Sequence, residues 1–156
     1  MTLLYAKVTD TEKGLCIIGS GTDEEFYLKH GFAKQDVLQS DIDYNWYLAD
    51  KCPMKTEEQK QKEKRERLDK LSLTRADVFE AFILAKGKSQ ADLRKMIEDR
   101  TDISEQEKML YLNRFDNALE FYRGYPLFNL LCSDLDITVE QLDRFFETKD
   151  YKELGA

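Results

Sequence analysis

One histidine, three scattered cysteines and 31 carboxylates are the raw material for chemistry in this chain of 156 residues. His30 has no second histidine with which to share a metal, and the HExxH pattern is absent. It precedes Gly31 at an expected helix end, where the helix dipole favours a cation. Gly19-Ser20-Gly21 is too closely spaced for a nucleophile elbow or a phosphate loop and reads as a turn. Asp134, Asp136 and Glu140 begin like a calcium loop. The sixth position, however, is Val139 and not glycine, and the twelfth is Phe145 and not a carboxylate. Cys16, Cys52 and Cys132 form no CxxC pair, and Cys16 and Cys132 lie in apolar runs as small buried hydrophobes. The sequence therefore offers no catalytic, cofactor-binding or metal-binding set, and a non-enzymatic protein is expected.

Binding residues are easier to nominate. Tyr122-Arg123-Gly124-Tyr125-Pro126 falls at an expected corner between helices, and tyrosine and arginine are frequent interface anchors. Tyr122, Arg123 and Tyr125 are therefore candidates for partner binding. Phe26, Tyr27, Trp46 and Tyr47 form a second candidate set nearer the N-terminus. The segment FNLLCSDLDITVEQLDRFF has the cadence of a helix-turn-helix, with Leu130, Leu135, Ile137 and Leu142 as packing positions. Its second helix presents Glu140, Gln141, Asp143, Arg144 and Glu147, and residues 134–156 hold seven acids against three bases. A DNA-reading helix would be basic or amide-rich, so packing is the expected role.

The elements that must position these residues are legible from strand formers, caps and periodicity. LLYAKVT (3–9) and LCIIG (15–19) flank the turn DTEKG as a β-hairpin. Thr22 or Asp23 caps a short helix ending at Gly31, and YNWYL (44–48) alternates like another strand. Phe26, Phe32, Trp46 and Tyr47 are the expected anchors of this small module. KTEEQKQKEKRER (55–67) contains no apolar residue, opens with a Thr56/Gln59 capping box and carries i,i+4 pairs such as Glu58–Lys62, Glu63–Arg67 and Glu66–Lys70. It reads as a solvated helical connector. Five helices follow, four starting after the caps Thr74, Ser89, Ser104 and Thr138 and one opening with Pro126 in its first turn. The third is expected to run from Glu105 to Arg123, with Met109, Leu112, Phe115, Leu119 and Tyr122 on its apolar face. The expected fold is α+β: a β-hairpin-containing module over 1–53, a charged helical connector over 54–70 and a five-helix domain over 71–156.

Charge follows the same division. Residues 1–50 carry a net −5, residues 51–70 a net +3 and residues 71–156 a net −5, so the chain is acidic overall at −7. Phosphate backbones repel such a chain, which disfavours nucleic acid as a partner. No segment approaches the roughly 20 apolar residues that span a bilayer, and MTLLYAKVTD lacks the pattern of a signal peptide. A soluble cytoplasmic setting without membrane partners is expected.

Tyr5-Ala6-Lys7-Val8, Gly19-Ser20-Gly21-Thr22, Phe26-Tyr27, Gly31 and Asn45-Trp46-Tyr47-Leu48 before Lys51-Cys52-Pro53 together resemble a recurrent module. It is similar to small accessory proteins encoded near the tail-fibre and lysis genes of phages and prophages. The resemblance covers the first third of the chain well and the remainder loosely. It implies a phage accessory protein of the host cytoplasm or the virion, acting by protein–protein binding in tail or fibre structure and assembly, with oligomerisation open. It carries over no functional residue set. The alternative is a phage-encoded, anti-CRISPR-like inhibitor of a host defence protein, whose acidic surface would imitate nucleic acid.

Overall fold

The computed structural model describes residues 2–155 and is a mixture of helix and strand. The chain divides into two compact units, the first ending at Gln61 and the second beginning at Lys62.

In the first unit, β1 (Thr2–Asp10), β2 (Leu15–Ile18), β3 (Ala33–Gln39) and β4 (Trp46–Leu48) close into a small antiparallel barrel of order β1-β2-β4-β3. The expected hairpin pairs Ala6 with Ile18 and Val8 with Cys16, and slips between Val8 and Asp10 at a bulge. Closure depends on β3, which the sequence reading missed; its KQD start hides the alternation that Val37 anchors from within. Ala6, Cys16 and Val37 are buried inside the barrel, with Leu4, Val8, Ile18, Trp46 and Leu48 packed around them. The helix α1 (Glu24–Lys29) is capped by the Asp23 carboxylate, which accepts from the Phe26 N–H, and Gly31 follows at φ +84°. Gly19 is required for close packing: a Cβ there would stand 2.5 Å from the Tyr27 ring. Of the expected anchors, Tyr47 is buried, Trp46 and Phe32 are half-buried and Phe26 is exposed.

The charged segment is helical as α2 (Glu57–Asp69), and the Thr56/Gln59 capping box forms in both directions. The division between units falls within this helix, so its later turns belong to the second unit. There Leu68 is buried, Arg65 reaches Asp143, and Arg67 reaches Glu147.

The second unit adds α3 (Arg75–Lys86), α4 (Gln90–Glu98), α5 (Glu105–Asn117), α6 (Pro126–Asp134), α7 (Val139–Thr148) and a closing 3-10 turn at Tyr151–Leu154. Ser89/Asp92, Ser104/Glu107 and Thr138/Gln141 form reciprocal capping boxes, and Pro126 occupies the first turn of α6. Phe82, Leu93, Ile97, Phe115, Phe128 and Phe145 are fully buried together at the centre. A five-helix description is nevertheless incomplete. The unit also holds a two-stranded antiparallel sheet, β5 (Ser72–Thr74) with β6 (Glu120–Tyr122). The third expected helix stops at Asn117 and its last turn becomes β6. Phe121 supplies the reason. In strand geometry it is buried while its neighbours face outward, a period of two and not 3.6. Met109, Leu119 and Tyr122 are correspondingly exposed and not core.

Candidate interaction site

The corner that follows α5 is built by local chemistry. Asn117 folds its side-chain amide back onto the Asn113 carbonyl at 2.8 Å, and Ala118 turns to an extended conformation. One of the α5 carbonyls left over at this end is met by Arg75, whose guanidinium donates to the Phe115 carbonyl and lies 4.7 Å over the Phe79 ring. Leu119 then projects outward at 84% exposure, before β6 pairs with β5 through Ser72–Tyr122, Leu73–Phe121 and Thr74–Glu120.

Past β6 the chain reverses. The Tyr125 N–H donates to the Tyr122 carbonyl at 3.0 Å, and the Gly124 N–H donates to the Asp69 carbonyl at 3.2 Å. Gly124 fits because a Cβ would come within 2.8 Å of the Asp69 Cβ. Arg123 points inward and is only 2% exposed. Its Nε donates to Asp143 at 2.6 Å and its Nη1 to Asn129 at 3.0 Å, while Arg65 donates to both oxygens of the same Asp143 at 3.0 Å. Arg123 thus ties the corner to α6 and α7 and offers nothing to the surface. Tyr122 stays half exposed.

Tyr125 stands between these extremes. Its ring meets Tyr111 edge-on at 5.8 Å and lies under the Arg114 guanidinium at 5.1 Å. Its hydroxyl is buried and has no hydrogen-bond partner among the described residues. Burial pushes that phenol up to about 12, with the nearby Arg114 charge pulling in the opposite direction. Asn113, Arg114, Leu119, Glu120, Tyr122 and Tyr125 are among the residues lining an open groove of about 680 Å³. Tyr122 and Tyr125, nominated from sequence, therefore meet at one site, with Arg123 directly behind them.

Arg114, Leu119 and Glu120 were missed because the segment reads as uninterrupted helix. The available signal was the pair of short alternations Ser72-Leu73-Thr74 and Glu120-Phe121-Tyr122, each with one apolar residue between polar or amphipathic ones.

The other nominated residues lie in the barrel unit. Tyr27 stacks on Tyr5 at 5.5 Å, and its hydroxyl accepts from the Gly21 N–H. Glu24 beside Tyr5 pushes that phenol up to about 12. Phe26 lies against His30, whose Nδ1 is 2.8 Å from the Phe26 carbonyl at the end of α1. Trp46 packs on the barrel core, and the Tyr47 hydroxyl donates to Asp43 at 2.7 Å. Phe26 and Tyr27 therefore share one aromatic cluster, whereas Trp46 and Tyr47 lie apart from it on β4.

Carboxylates in the second unit are distributed among arginines. Arg100 bridges Asp102 and Asp134, Arg94 holds Asp116 and Glu98, and Arg144 meets Glu153. Arg100 holds the Asp102 carboxyl below its ordinary value, and Arg94 does the same for Asp116. Among the described residues, no group of three or more histidine, cysteine or acidic side chains is placed to hold a metal ion, and no helix is long and apolar enough to cross a membrane. No family model, curated protein or solved structure matches the chain.

Proposed function

We propose that this chain is a non-enzymatic accessory protein that acts by binding another protein through the groove between α5 and β6. The observation that carries the reading is the exposure of Leu119 and Tyr122 in the lining of a charged and aromatic groove. An isolated surface leucine needs no explanation, but one at 84% exposure beside Tyr122, Tyr125 and Arg114 has the composition of an interface centre. The buried Arg123–Asp143 pair behind it supports the reading, because it holds the corner in one shape and lowers the ordering cost of binding.

Phage tail or fibre assembly is the setting we propose, resting on the motif resemblance of the N-terminal third alone. The inhibitor alternative receives no comparable support. A nucleic-acid mimic needs an unneutralised acidic face, and five of the twenty acids in residues 62–156 (Asp102, Asp116, Asp134, Asp143 and Glu147) each face an arginine.

Affinity capture with the full chain tests the proposal, comparing wild type with Leu119→Asp and Tyr122→Ala and identifying captured proteins by mass spectrometry. A partner retained by wild type and lost by both variants, with unchanged circular dichroism, is expected. Equal capture by all three chains would move binding away from this groove. Recovery of tail components, with the chain present in purified virions, is the outcome specific to the assembly setting.

A further inference from the structure

The groove has a backbone edge as well as side chains. In the β5–β6 ladder, Arg75 N–H donates to the Leu119 carbonyl and Arg123 N–H to the Leu71 carbonyl. With Leu73 opposite Phe121, residues 119, 121 and 123 turn their peptide groups toward β5. Glu120 and Tyr122 must therefore turn theirs away, along the other edge of β6. The Tyr122 carbonyl accepts from Tyr125 there. Among the described residues, the Glu120 N–H, the Glu120 carbonyl and the Tyr122 N–H have no hydrogen-bond partner. They line the same groove as Arg114 and the exposed Glu120 carboxylate; neither side chain forms an ion pair among the described residues, and Arg114 is the one held in place, over Tyr125.

An unpaired strand edge is a template for another strand, and a fixed cation beside it selects for charge. We propose that the groove binds an extended polypeptide segment of its partner, which adds to β6 as a third strand and directs a carboxylate at Arg114. The inference rests on the binding reading above and specifies its mode. Glu120 and Tyr122 would supply two donors and one acceptor to the incoming backbone, Leu119 and Tyr122 would contact its apolar side chains, and Arg114 would set its preference for acid. Both charge and backbone are thereby recognised without any loop having to close.

The test uses the full chain and a surface-displayed library of random peptides of about eight residues, the length of an ordinary strand. Selected peptides should be enriched in acidic residues and depleted of proline at their centres. Adding one to isotope-labelled protein should shift the Glu120 and Tyr122 amide resonances and slow their hydrogen exchange. Arg114→Glu should abolish the acidic preference on reselection. Tyr122→Pro, which removes one outward N–H at an edge position that tolerates proline together with the ring, should weaken binding further than Tyr122→Ala, which removes the ring alone, by about tenfold, the equivalent of one hydrogen bond. Selected peptides without an acidic preference, or binding that leaves the two amides exchanging at their free rates, would overturn the proposal. A partner captured through Leu119 and Tyr122 without protection of these amides would retain the binding site and reject strand addition.

Discussion

Replacing Asp143 by alanine should be among the most damaging single changes available in the second unit. Its carboxylate receives Arg123 at 2.6 Å and Arg65 at 3.0 Å. Arg65 is 38% exposed and can return to water when the acid is removed. Arg123, at 2% exposure, cannot; it would keep only Asn129, and its Nη2 already lacks a hydrogen bond. Removing one member of a buried pair in this way costs about 3–5 kcal/mol. That is a large part of the roughly 5–15 kcal/mol that stabilises an ordinary domain. Arg65→Ala should cost only about 1 kcal/mol or less, as an exposed partner does. Arg123→Met combined with Asp143→Leu should recover most of the loss, because it removes the stranded charge together with its counterion. Urea unfolding followed by far-ultraviolet circular dichroism is the appropriate assay, since the only tryptophan, Trp46, belongs to the other unit and its fluorescence reports there. A loss below about 1 kcal/mol for Asp143→Ala, at unchanged denaturant sensitivity, would refute the reasoning by showing that Arg123 is readily resolvated. A double variant as unstable as Asp143→Ala would show that the cost lies in packing and not in charge.

Three further outcomes follow from the same structure. Phe115→Ala, at the centre of the helical core, should cost about 3–5 kcal/mol in chemical denaturation, and a change under about 1 kcal/mol would place that ring outside the core. Gly124→Ala should destabilise the corner by about 1–3 kcal/mol, because the new methyl group meets Asp69 on both its side chain and its carbonyl; an unchanged midpoint would show that the turn opens freely. In acid, Asp92, Asp102 and Asp116 are held below their ordinary value of 3.8, by hydrogen bonds at the Ser89 cap, by Arg100 and by Arg94 respectively. The unfolded chain therefore takes up these protons first. The stability they contribute is complete above the unfolded value and is lost as pH falls through the lower folded values. Asp116→Asn should accordingly differ from wild type near neutrality and converge with it in acid, measured by urea midpoints across that range; parallel curves would contradict the assignment.

Local signals in the sequence were sufficient at the capped helix starts. Ser89 with Asp92, Ser104 with Glu107 and Thr138 with Gln141 all begin helices because each cap is complete within four residues. Tertiary pairing was not legible in the same way. β3 is needed to close the barrel, but among its residues only Val37 is fully buried, so its sequence shows little alternation. β6 exists because Leu73, far away in sequence, pairs with Phe121; the helical spacing of Phe115, Leu119 and Tyr122 pointed to the wrong period. The site shows the same split. Tyr122 and Tyr125 could be nominated from residue type and a corner signal, whereas the inward course of Arg123 depends on Asp143 twenty residues later. Arg114 and Leu119 acquire their place only once α5 stops early. The connector is a similar case: its first turns have no apolar face, and a single residue, Leu68, buries its far end.

The central claim, that the α5–β6 groove is where this chain meets its partner, is tested most directly by photocrosslinking. A photoreactive phenylalanine analogue placed at Tyr122 in the full chain should form a discrete crosslinked species in the cells that make the protein. The same analogue at Leu84, an exposed position on α3 outside the groove, should not. Crosslinking to one partner from Tyr122 alone is the predicted result. No adduct at Tyr122, or the same adduct from both positions, would contradict the account.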